Sequence, residues 1–205
     1  MGARHFQVVA GAWECEAAGV MHVVGSIIAR LGSKRLAYKN LLPFAGKPLV
    51  GLGIEILRGA KRVDEIVVST ESELIARVAQ DFGATVLRRP EELAVDHTPS
   101  VPVFQHILAH FPCDVHVNFN INLPLCESVV IDRAVELALE KGEALSVPYA
   151  AWAQTAARLR DYGDPWAPEK KAFLFDDPRA GPLDVHTIED LLEVYRVRQG
   201  ALAGW

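Results

Sequence analysis

Arg30, Lys34, Arg35 and Lys39 place four cations within ten residues, and Gly32 and Ser33 precede the first lysine. Point charges, a hydroxyl and loop amides able to form an anion-binding nest are what recognition of a triphosphate needs. The spacing GxxxxGK[ST] of a Walker A loop is absent. A solvated charged loop has the same composition, so placement must separate the two readings. The run follows the first buried strand of the chain, where open α/β sheets carry their ligands, and this favours phosphate binding.

The elements that position this loop alternate in kind. Residues 22–29 (HVVGSIIA) read as a strand buried on both faces. A helix is expected over 48–60, with Pro48 near its first turn, then a strand over 64–70 and a helix over 71–82 stopped by Gly83. Further strands are expected at 84–88, 114–119 and 144–147. Further helices are expected at 100–111, at 128–141 with Gly142 just past its end, and at 188–199 with Thr187 and Asp190 close to a capping box. The proline-rich stretch 148–182 offers one convincing strand, 172–175. This alternation predicts a three-layer α/β/α nucleotide-binding fold with a mostly parallel sheet, its ligand loops following residues 29, 70, 88 and 119.

Composition narrows the function. Of 205 residues, 50% are hydrophobic and 23% charged, as in a folded soluble protein. The net charge of −5 argues against a basic nucleic-acid-binding surface, which makes the cation cluster a local reversal of sign. Three scattered cysteines, Cys15, Cys113 and Cys126, form no CxxC pair and suggest neither structural zinc nor a disulfide framework, and the reducing cytoplasm is the expected compartment. The longest apolar stretch, 20–29, is too short to span a bilayer. Residues 1–20 have no clear period and fail as a signal peptide or myristoylation site, so they are read as an extension before a single domain over 21–200.

Residues 27–41 (IIARLGSKRLAYKNL), followed by Gly46-Lys47-Pro48-Leu49, resemble the opening signature of the sugar-acid cytidylyltransferases, which act on acylneuraminate or 3-deoxy-manno-octulosonate. Supporting matches are DEIVVST at 64–70, RPEELA at 89–94 with Asp96, Pro124-Leu125, and DVHTIEDL at 184–191. The resemblance implies a nucleotidyltransferase that joins CMP from CTP to an acidic 3-deoxy sugar and releases pyrophosphate, with a divalent cation, Mg²⁺ or Mn²⁺. Such chemistry rests on positioning and charge neutralisation. Carried over by position, Arg30, Ser33, Lys34 and Lys39 hold the triphosphate with Asn40 beside them, and Arg30, Lys34 and Lys39 are the catalytic set. Arg89 lies at the nucleotide, and Asn120 stands where the family has glutamine. Asp184 matches the first aspartate of a metal-binding D-x-D pair.

Departures accompany the matches. His186 replaces the second aspartate of that pair, and Asn122 replaces a metal-binding carboxylate of the octulosonate branch. Asp184 and His186, on one face of an extended segment, are the expected metal ligands. The segment 148–182 is short for the family's sugar-binding and dimerising insertion, so a homodimer is the expected assembly at most. The competing reading is a nucleotide-binding or regulatory relative without efficient transfer.

Other candidates carry less. His106 and His110, four apart on a helix with His116 on the next strand, lack the glutamate of HExxH. Trp152 and Trp166 read as packing, Asp176-Asp177 as a turn before Pro178, and Cys126 has no adjacent base.

Overall fold

The computed structural model describes residues 21–166, 168 and 171–202. The strands are β1 (Val23–Ile28), β2 (Pro43–Phe44), β3 (Lys47–Pro48), β4 (Glu65–Thr70), β5 (Thr85–Arg88), β6 (Val115–Phe119), β7 (Glu143–Val147), β8 (Ala151–Thr155) and β9 (Phe173–Asp176). The helices are α1 (Leu49–Gly59), α2 (Glu73–Asp81), α3 (Ser100–His110), α4 (Ser128–Lys141), α5 (Ala156–Arg160) and α6 (Ile188–Leu202). Both expected glycine stops form, with Gly83 at φ +74° and Gly142 at φ +84°, in the left-handed region that a side chain would strain.

Seven strands make one sheet in the order β5-β4-β1-β6-β8-β7-β9. β1 pairs in parallel with both β4 and β6, and β8 alone runs against its neighbours β6 and β7. The chain steps outward from β1 through β4 to β5, then returns to lay β6 on the other side of β1. That reversal opens a crevice at the carboxyl ends of β1 and β6.

Alternation along β1 sends Val23 and Ile27 to a core shared with α1, α2, α4 and α6, while Val24 faces α3 on the opposite side. The sheet is thus covered on both faces, as expected. Gly53 lets α1 press close beneath the crevice, because a Cβ there would lie 2.3 Å from the Ile121 side chain and 3.1 Å from that of Ile27.

Four elements differ from the sequence expectation. β8 and α5 occupy a stretch read as irregular, and β2 and β3 form a short hairpin whose turn residues Ala45 and Gly46 both have positive φ. β8 is hidden in the sequence because it carries no alternation: Ala151 to Gln154 are all buried, polar Gln154 included.

β6 also carries His116, wholly buried and pushed down to about 4 by burial. Between that value and its unfolded 6.5, the unfolded chain binds a proton that the native protein refuses, so stability rises with pH across this window. Lowering the pH from 7 to 4 should cost about 3 kcal/mol from this group alone. Urea unfolding at both pH values checks this, and the His116→Leu variant should lose that part of the slope.

Candidate active site

The crevice holds a cavity of about 520 Å³ lined from three directions. The loop after β1 supplies Arg30, Ser33, Lys34, Arg35, Lys39 and Asn40, and β6 with its following loop supplies Asn118, Asn120 and Asn122. Ser100, Tyr149 and His186 close the remaining walls, and Asp96 stands at the rim. All the expected triphosphate residues are therefore together, with Asn120 among them.

Backbone ties fix the loop. Asn40 Nδ2 donates to the Arg30 carbonyl at 2.9 Å, and the Leu31 amide donates to Glu71 Oε1 at 2.7 Å. Arg89 does not line this cavity. Its side chain is 5% exposed and lies behind the loop, donating at 3.0 Å both to the Ala29 carbonyl and to Glu71 Oε2. It lines a smaller neighbouring cleft with Arg30, Ser100 and Leu93. The nest expected of the backbone does not form. Gly32 is not left-handed, and the Ser33 amide is spent on the Leu31 carbonyl at 3.1 Å, so the positive character of the loop is carried by its side chains.

Asp96 pairs with both Arg30 and Lys34. Hydrogen bonds from Lys34 and Arg30 hold its carboxyl below the usual carboxylate range. This carboxylate occupies the two cations that a phosphate would use. Asp96→Asn should therefore tighten binding of a nucleoside triphosphate a few-fold. Calorimetric titration of both proteins checks it.

Lys39 Nζ donates to Asn122 Oδ1 at 2.6 Å and to the Val185 carbonyl at 3.2 Å. Burial lowers its pKa to about 8 against the upward pull of Asp184. Arg35 Nη2 lies 2.7 Å from His186 Nδ1, and His186 Nε2 lies 3.0 Å from Asp184 Oδ1. A guanidinium only donates, so Nδ1 accepts and the ring hydrogen sits on Nε2, facing the carboxylate. The expected capping box forms and orients this segment. Asp190 Oδ2 accepts from the amides of His186 and Thr187, each at 2.8 Å, and the Asp190 amide donates to Thr187 Oγ1 at 3.3 Å.

Asp184 and His186 are thus brought together as expected, but their donor set does not fit a preformed cation site. The imidazole nitrogen beside Asp184 carries a hydrogen, and the Asn122 oxygen is spent on Lys39. Among the described residues no group of three or more His, Cys, Asp or Glu is placed to hold a metal.

The remaining candidates stand apart from the cavity. His110 Nδ1 donates to the His106 carbonyl at 2.8 Å on α3. Trp152 packs in the core against Phe104 and Tyr162, while Trp166 is exposed. The Asp177 side chain caps the single turn Pro178–Ala180. Burial pushes the Cys126 thiol up to about 12, which leaves it inert. Cys15 lies outside the described residues. Sequence reasoning counted Arg35 in the cation cluster but did not assign Ser100, Asn118 or Tyr149 to the site; the one signal was the pair of polar residues, His116 and Asn118, on a buried strand.

A parallel sheet reversing at β1 and β6, with a cationic loop over the reversal, defines a protein of the nucleotidyltransferase fold. The solved structures agree. The CTP complex of CMP:2-keto-3-deoxy-manno-octonic acid synthetase superposes with a TM-score of 0.73 at 17% identity, covering 88% of this chain and 99% of that one. A Mycobacterium tuberculosis protein in complex with manganese gives 0.59 at 16% identity, covering 84% and 97%. The chain belongs to the cytidylyltransferase family, which it matches over residues 24–186. Among curated relatives, N-acylneuraminate cytidylyltransferase of Escherichia coli is 38% identical over 87 residues, 42% of this chain and 21% of that protein. CMP-N,N'-diacetyllegionaminic acid synthase of Legionella pneumophila is 41% identical over 92 residues, 44% of this chain and 40% of that protein. The chain thus matches well under half the length of these relatives.

Proposed function

We propose that this protein transfers CMP from CTP to an acidic 3-deoxy sugar of the sialic-acid or octulosonate type, releasing pyrophosphate. The observation that carries this reading is the convergence of Arg30, Lys34, Arg35 and Lys39 on one cavity at the β1–β6 reversal. The sugar's anomeric hydroxyl oxygen bonds to the α-phosphorus, the bond from that phosphorus to the β-phosphate oxygen breaks, and pyrophosphate leaves. The loop cations neutralise the charge that builds on the departing phosphates, and Ser33, Asn40 and Asn120 orient the nucleotide. Arg89 acts from behind, holding the loop. A divalent cation, Mg²⁺ or Mn²⁺, arrives on the CTP phosphates as part of the substrate, and Asp184 is the nearby carboxylate of the protein.

A nucleotide-binding relative without efficient transfer is the second reading, favoured by the commitment of His186 and Asn122 to protein partners. Pyrophosphate release from CTP, assayed across acidic sugars with either cation, separates the two. Release with at least one sugar establishes the enzyme, whereas CTP binding without release across the panel establishes the second reading. No described helix is long and apolar enough to cross a membrane. A cytoplasmic enzyme of one domain is the proposal, with the half-exposed Phe173 and Leu174 of the edge strand β9 supporting a homodimer.

A further inference from the structure

Around Arg35 and Lys39 stand four side chains able to lend an acceptor to a cation, and each is already committed to a protein partner. Asn122 Oδ1 takes the Lys39 ammonium at 2.6 Å, and the amide nitrogen of Asn122 only donates. Asp190 Oδ2 takes the backbone amides of His186 and Thr187. His186 Nδ1 takes the Arg35 guanidinium at 2.7 Å, and Asp184 Oδ1 faces His186 Nε2 at 3.0 Å. Across the cavity, Asp96 gives one oxygen to Arg30 and the other to Lys34. Arg30, Lys34, Arg35 and Lys39 line the cavity against that one lining carboxylate, so a divalent cation entering alone meets net positive charge.

His186 is the decisive group. An imidazole divides one hydrogen and one lone pair between its two ring nitrogens. While Arg35 donates to Nδ1, the lone pair is there and the hydrogen lies on Nε2. A metal on Nε2 would need that hydrogen removed while Nδ1 still accepts, which only an imidazolate could do. Guanidinium and metal therefore exclude each other on this ring. Without Arg35, the hydrogen is free to sit on Nδ1. The Nε2 lone pair would then face Asp184 Oδ1 across 3.0 Å, close enough for both atoms to hold one cation.

We infer that Arg35 shuts divalent cations out of the Asp184–His186 pair, and that Arg35 and Lys39 supply in their place the positive charge a triphosphate needs. The inference rests on the CTP reading above. Any cation used in transfer then rides on the phosphates of the nucleotide and takes no ligand from this pair.

The test follows Mn²⁺ by electron paramagnetic resonance in the full, nucleotide-free chain. Arg35→Met should bind Mn²⁺ about tenfold or more tightly than the parent, the scale on which groups behind a ligand shift metal affinity. Adding His186→Ala to Arg35→Met should abolish that gain. Nitrogen-15 spectra of the parent should show His186 with its hydrogen on Nε2. By calorimetry, CTP affinity of the parent should be the same in EDTA as in Mg²⁺. In EDTA, Arg35→Met should lose about tenfold, the scale of one hydrogen bond to a charged group. Mn²⁺ bound equally by the parent and Arg35→Met, whether well or poorly, overturns the inference. So does a hydrogen on Nδ1 of His186 in the parent, or CTP affinity that depends on Mg²⁺. Should Arg35→Met fail to fold, the tautomer and the parent titrations still decide. A parent that binds CTP under neither condition removes the CTP reading itself, while the Mn²⁺ comparison still shows which cation holds His186.

Discussion

Lys39→Met is expected to lower kcat/KM for CTP by about a hundredfold or more, the cost of removing one preorganised charge that faces developing negative charge. Methionine keeps the length and apolar stem of the side chain, so the loss reports the ammonium. The same group sets a pH limb. Below about 8 the free protein holds Lys39 charged, and above it the amine is neutral, because burial has brought the value down from 10.5. Steady-state kcat/KM should therefore fall as pH rises through about 8. Lys39→Arg keeps its charge across that range and should lose the limb. A parent profile flat from pH 7 to 10 would show that the charge on Lys39 is not used.

Arg89→Ala is expected to destabilise the protein by about 3 kcal/mol, the scale for breaking a buried pair from one side. Glu71 would be left holding the Leu31 amide with no counter-charge, and the Ala29 carbonyl would lose its partner. Both ties sit at the root of the cationic loop, so CTP affinity should fall together with the urea midpoint. Both bonds leave one guanidinium nitrogen, Nη2, whose two hydrogens are fixed in the plane of the group, and Arg89→Lys tests that fixed geometry. It should recover only part of the loss. If CTP affinity drops while stability is unchanged, Arg89 contacts the nucleotide directly.

The contrast between these residues shows what the sequence could reveal. Arg30 to Lys39 is a contiguous run after a β-branched strand, and its role follows from local composition and from the topology that alternation implies. Arg89 differs. Family position places it at the nucleotide, whereas its burial depends on Glu71, brought close by the pairing of β4 with β5. Asp96, Asn122 and Val185 meet the loop cations only through long-range folding, and nothing in their own neighbourhoods announces it. β8 escaped for a related reason. Its first four residues, Ala151, Trp152, Ala153 and Gln154, are all buried by neighbours on both sides, and burial of that kind leaves no alternation to read.

The contact between Arg35 and His186 spans 151 positions, and that between Lys39 and Val185 spans 146. During synthesis, the cationic loop is made well before its closing wall, which follows it by 151 positions. The sheet strands β1, β4, β5 and β6 can assemble well before that wall exists. Until then, Arg35 lacks His186 and Lys39 lacks the Val185 carbonyl, and a chain ending before Asp184 would present both more openly to any polyanion in reach. Arrival of the segment Asp184–His186 is what closes a sticky basic loop into a shaped cavity.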